Sequence, residues 1–137
     1  MEAVLVNEKG RLRLGEYEKP VAAAGELLVK VKATAVNRAD LLQKRGGYPP
    51  PEGASPILGL EMAGVVEETG DEVEGWKKGD RVFALLPGGG YAAYAAVPAD
   101  MAMRIPNGLS FEEAAAIPEV FLTAYMNLFW LGRLRKD

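Results

Sequence analysis

The stretch "ELLVKVKATAV", residues 26–36, alternates apolar and polar side chains with a period close to two. That pattern predicts a strand with Leu27, Val29, Val31, Ala33 and Ala35 on one face, and Leu28, Lys30, Lys32, Thr34 and Val36 on the other. The chain then runs into "NRADLLQKRGGYPPP" (37–51), which places Asn37, Arg38, Asp40 and Tyr48 close together in sequence. Asn37 and Asp40 suit the cap of a turn or short helix over "RADLLQKR", and the prolines suit a stiff surface loop that fixes Tyr48.

Outward from this stretch, short strands recur: "AVLV" (3–6), "RLRLGEY" (11–17), "EMAGVVEE" (61–68), "RVFALL" (81–86), "YAAYAAV" (91–97) and "MAMRI" (101–105). Turn chemistry separates several of them at Gly25, Gly70-Asp71, Gly79-Asp80 and Pro98. Short strands at such spacing predict a barrel or sandwich. From Asn107 the pattern changes to helix. "SFEE" is a capping box, with Ser110 accepting from the Glu113 amide and the Glu113 side chain reaching back. Pro118 suits the first turn of a new helix, "PEVFLTAYMNLFWLGRL", which is apolar on nearly all sides. Such a helix is expected to be covered.

The 137 residues are 49% apolar and 26% charged, enough for a core. A net charge of −3 gives no electrostatic reason to bind nucleic acid or anionic membrane. With no Cys and no His, thiolate chemistry, Ser-His dyads and the usual zinc ligand sets are excluded. No basic, apolar leader begins the chain and no stretch reaches about 18 uncharged apolar residues, so a cytoplasmic location is expected. "PGGGY" (87–91) precedes a strand pattern rather than a helix, so a bend is expected there and not a phosphate cradle.

Four blocks in order carry a resemblance: "GELLVKVKATAVNRADLLQKRGGYPPP", "LGLEMAGVVEETG", "GWKKGDRVFALLPGGGYAAYAAVPAD" and "LSFEEAAAIPEVFLTAYMNL". Together they resemble the N-terminal, GroES-like part of the medium-chain dehydrogenase/reductase superfamily, in its zinc-free quinone oxidoreductase branch. The likeness extends to the apoptosis-linked NADPH:quinone reductases and their bacterial relatives.

The resemblance implies a mainly β chain with short helices (α+β). Residues 1–109 would form a GroES-like, partly open barrel. Residues 110–137 would form a helical segment leading into a Rossmann domain that these residues do not include. It implies hydride or electron transfer from NADPH to a quinone without a metal. Asn37 stands where zinc-dependent relatives place a Cys, and Leu60 where they place a His. Asn37, Asp40, Tyr48 and Thr123 match residues near the nicotinamide, with Asn37 and Tyr48 placed to donate to a quinone oxygen. For Asn37 and Asp40 the alternative is simple capping, and for Thr123 a hydroxyl bonded to the preceding helical turn. Glu61 matches a glutamate near the metal of zinc relatives; in an apolar run it is expected to be hydrogen-bonded and structural. Helix 118–131 implies a covering domain or a homodimer. The reading from a different class is a non-catalytic GroES-like module that binds a partner or dimerises through that helix.

Overall fold

The computed structural model describes residues 1–135. A hairpin pairs β1 (Glu2–Val6) with β2 (Leu12–Glu16). The remaining strands, β3 (Glu26–Thr34), β4 (Glu61–Thr69), β5 (Arg81–Leu85), β6 (Tyr94–Pro98) and β7 (Ala102–Arg104), form an antiparallel sheet in the order β6-β3-β4-β5-β7. The sheet curls as a half-barrel, in the manner expected of a GroES-like domain. The hairpin docks on it where Ala3 bridges Ala92 and the Val4 amide donates to the Tyr91 carbonyl at 2.8 Å.

The strand expected over 91–97 therefore begins later, at Tyr94, because residues 91–93 turn to meet β1, with only the Ala93 carbonyl still accepting from the Val31 amide of β3. The alternation expected along 26–36 also breaks. The β3–β4 pairing shifts register between Leu28 and Val29 and again between Val31 and Ala33. A one-residue slip sends a side chain to the other face. Accordingly Leu27 and Val29 join Met62, Val66, Val82 and Val97 in one core, whereas Ala33 packs with Phe83, Ile105, Ala114 and Ala115 on the other.

That second core is closed by α2 (Phe111–Ala115), whose capping box forms as expected: the Glu113 amide donates to Ser110 Oγ at 3.1 Å. Pro118 then opens α3 (Pro118–Tyr125), and a π-helical turn, Met126–Leu131, follows. The expected cover for this segment is not supplied by the described residues. Phe121, Tyr125, Phe129, Trp130 and Leu131 are exposed, Trp130 at 73%. No helix among the described residues is long and apolar enough to cross a membrane.

Candidate functional site

Asn37 is the extended residue that caps α1 (Arg38–Lys44), and Gly46, at a φ of 77°, takes the left-handed turn that ends it. The corner thus projects Asn37 and Asp40 from the end of β3. Asp40 is only 2% exposed. Its Oδ2 accepts from the Asn37 amide at 2.7 Å and from the Tyr91 hydroxyl at 2.7 Å, while its Oδ1 accepts from the Gly59 amide at 3.2 Å. The bonds that satisfy this carboxylate are all internal, so Asp40 acts here as a knot joining the corner, the 57–60 segment and Tyr91. Burial first, then Asp40 and Glu61, push the Tyr91 hydroxyl well above the phenol range, which keeps it a donor.

The close approach at this knot needs glycine. Gly59 has a φ of 103°, and a Cβ on it would lie 2.6 Å from the Tyr91 ring.

Glu61, 1% exposed at the start of β4, is the second buried carboxylate. Its Oε1 accepts from Asn37 Nδ2 at 2.7 Å, and its Oε2 accepts from the Glu119 amide at 2.8 Å, in the first turn of α3. The carboxylate there also faces the free amides of the first helical turn. Glu61 is therefore hydrogen-bonded, as expected for a carboxylate in an apolar run, and it ties β4 to both the corner and α3. Sequence reasoning missed Tyr91 and the Glu61–Glu119 contact. Neither leaves a local signal, since the partners lie 51 and 58 residues apart.

Tyr48 lies beyond α1, 44% exposed, and makes no hydrogen bond among the described residues. Its nearness in sequence to Asn37 and Asp40 does not bring it into their network. Thr123 is exposed one turn beyond Glu119 on α3; its carbonyl accepts from Asn127 Nδ2 at 2.8 Å. In the "PGGGY" run, the amides of Gly89, Gly90 and Tyr91 donate to the carbonyls of Ile57, Gly59 and Leu58, so these N–H groups are engaged within the chain. A cavity of about 570 Å³ lies elsewhere, between residues 17–21, the 53–57 loop, residues 87–89 and β6. Neither Asn37, Tyr48, Glu61 nor Thr123 lines it.

Three acidic groups converge on the start of α3, with a measurable consequence. Burial, then Glu61 and then Asp40, hold the Glu119 carboxyl above its ordinary value. A raised carboxyl pKa contributes stability that is complete below the unfolded value and is lost as pH rises through the folded one. Glu119→Gln should therefore gain on wild type in urea midpoint as pH rises from about 4 to about 7. Parallel pH profiles for the two proteins would contradict this placement.

Residues 23–107 match the alcohol dehydrogenase GroES-like domain family. The mouse synaptic vesicle membrane protein VAT-1 homolog-like is 38% identical over 126 residues, covering 92% of this chain and 30% of the relative. The crystal structure of the human VAT-1 homolog-like protein superposes with a TM-score of 0.90 at 37% identity, covering 99% of this chain and 45% of that one. The Escherichia coli quinone oxidoreductase complexed with NADPH gives 0.79 at 34% identity, covering 93% of this chain and 39% of that one. The chain thus spans less than half the length of these proteins.

Proposed function

Because the chain belongs to the alcohol dehydrogenase GroES-like domain family, we propose that it forms one wall of the cleft in an NADPH-dependent quinone oxidoreductase. The observation that carries this reading is the corner where Asn37 meets Glu61. Where zinc-dependent members place a Cys and a His, this chain has the Asn37 amide and Leu60, and neither ligates zinc. A quinone accepts a hydride without a Lewis acid, so a polar wall suffices to orient it.

When bound, NADPH supplies the hydride. Asn37, Tyr48 and Thr123 are the side chains we assign to the nicotinamide side of the cleft. Tyr48, an exposed phenol without an internal partner among the described residues, is the donor we assign to a quinone oxygen. Asp40 serves by holding the Asn37 backbone and Tyr91 in place. The exposed apolar face of α3 and the π turn supports a second body beside this wall, and a nucleotide-binding unit is the occupant this reading requires.

The test joins these residues to such a unit and follows nicotinamide absorbance with NADPH and a benzoquinone. Turnover is expected, and Tyr48→Phe should lower kcat/KM by about tenfold. Unchanged kinetics would remove Tyr48 from the reaction. The same exposed face also supports a non-catalytic module that dimerises through residues 118–131. Absence of turnover together with a dimeric mass would favour that second reading.

A further inference from the structure

The Asn37 amide is held in one orientation by chemistry. Its Nδ2 lies 2.7 Å from Glu61 Oε1. The carboxylate oxygen is the acceptor of this bond, and the Asn37 oxygen takes the capping position over the Asp40 amide, so the nitrogen faces Glu61. Glu61 cannot rotate away, because its other oxygen is engaged by the Glu119 amide at 2.8 Å and the residue is 1% exposed. The Asn37 backbone is fixed in turn by its amide bond to Asp40 at 2.7 Å. What remains is the carbonyl Oδ1. It stands at the capping position over the Asp40 amide of α1 and is not among the buried unpaired atoms of the described residues, so a lone pair stays open to a ligand.

We infer that Glu61 is a positioning residue: it fixes the Asn37 amide so that the corner leads with an acceptor. The ligand group that fits is a hydrogen-bond donor, such as a primary carboxamide N–H, and not a quinone oxygen, which only accepts. The inference rests on the proposed function in one respect only, in taking the nicotinamide carboxamide as that donor. Glu61 also bonds the first turn of α3, so the same carboxylate sets Asn37 in register with the stripe of that helix that carries Thr123.

The orientation yields a polarity test. In Glu61→Gln, the Glu119 amide still needs the introduced carbonyl oxygen, which leaves the introduced NH₂ group facing Asn37. The bond between the two side chains is then remade only if Asn37 inverts and gives up its capping position, with Oδ1 inward and its NH₂ outward. In the double variant Asn37→Asp/Glu61→Gln, the introduced aspartate accepts from the introduced glutamine and keeps an acceptor outward. A merely structural role for Glu61 would rank the proteins by stability; a positioning role ranks them by the outward group.

Side-chain amide exchange, read by nitrogen-15 NMR on the intact protein, reports the orientation directly. In wild type the Asn37 Nδ2 protons should exchange about tenfold more slowly than those of a free amide, and Glu61→Gln should abolish that protection. With these residues joined to a nucleotide-binding unit and NADPH as the probe, wild type and the double variant should bind within about threefold of each other, and Glu61→Gln about tenfold more weakly. Unprotected Asn37 protons in wild type, or affinities that follow urea midpoints instead of the outward acceptor, would overturn the inference. The wild-type exchange measurement decides even if a variant fails to fold. Protection as stated, with NADPH leaving the Asn37 resonance unmoved, would sustain the positioning role and end the nicotinamide reading.

Discussion

Asp40→Ala is expected to destabilise the fold by roughly 4 kcal/mol, lowering the urea midpoint by about 2 M. The carboxylate accepts from the Asn37 amide, the Gly59 amide and the Tyr91 hydroxyl. Truncation strands all three donors, and each buried orphan costs about 1–3 kcal/mol. Two terms offset this. Tyr91 lies 3.4 Å from the Ala35 carbonyl and can lean on it, and half-exposed Asn37 can recruit water. Removing a buried carboxyl group with no cation bonded to it among the described residues also returns some desolvation energy. Gly59 has neither escape, because residues 57–61 are buried throughout. Asp40→Asn should fall between, since one acceptor oxygen survives. Total stability for a domain of this size is about 5–15 kcal/mol, so the alanine variant should sit near the edge of folding. A loss below about 1 kcal/mol would mean that the carboxylate is not a structural knot and would return it to the ligand-binding set.

This distinction between knot and ligand group marks the limit of what residues 26–51 disclose. The strands, the Ser110–Glu113 cap and the Pro118 helix start were legible because each is decided within a few residues by periodicity, capping or turn chemistry. The polar corner was legible as a corner, since Asn37 before a short helix is a local signal. Its wiring was not. Asp40 meets Tyr91 and Glu61 meets Glu119 only after the sheet curls, and no pattern in "PGGGYAAYAAV" singles out Tyr91 over Tyr94. Tyr48 shows the converse: closeness in sequence to Asn37 did not make it part of the network. The π turn was hidden as well, because an all-round apolar run such as "MNLFWL" carries no periodicity to tell an i+5 winding from an i+4 one. Its exposure, by contrast, sharpens the sequence expectation: the described residues leave the greasy face bare, so a covering body has to come from elsewhere for the face to be dry.

Gly64→Ala is expected to cost roughly 3 kcal/mol or more, although it adds a single methyl group. Gly64 lies in β4, the middle strand of five, opposite Val31 on one side and Val82 on the other. A Cβ built there would stand 2.3 Å from the Lys30 carbonyl oxygen and 2.8 Å from Val29 Cγ1. The first obstacle is backbone in a hydrogen-bonded strand, so relief requires moving β3 away from β4 by about an ångström. The pairing already slips between Val31 and Ala33, so this is where the two strands can least afford further displacement. Glu61 begins the same strand, and moving β3 also moves Asn37, so the corner should loosen with the sheet. The control is Gly25→Ala. Gly25 has a φ of 78° and nothing within 4 Å of its Cβ position, so only left-handed strain of about 1 kcal/mol applies. Urea unfolding of both variants separates the two causes. Equal losses would mean that backbone conformation, and not the close approach of β3, is what requires glycine at position 64.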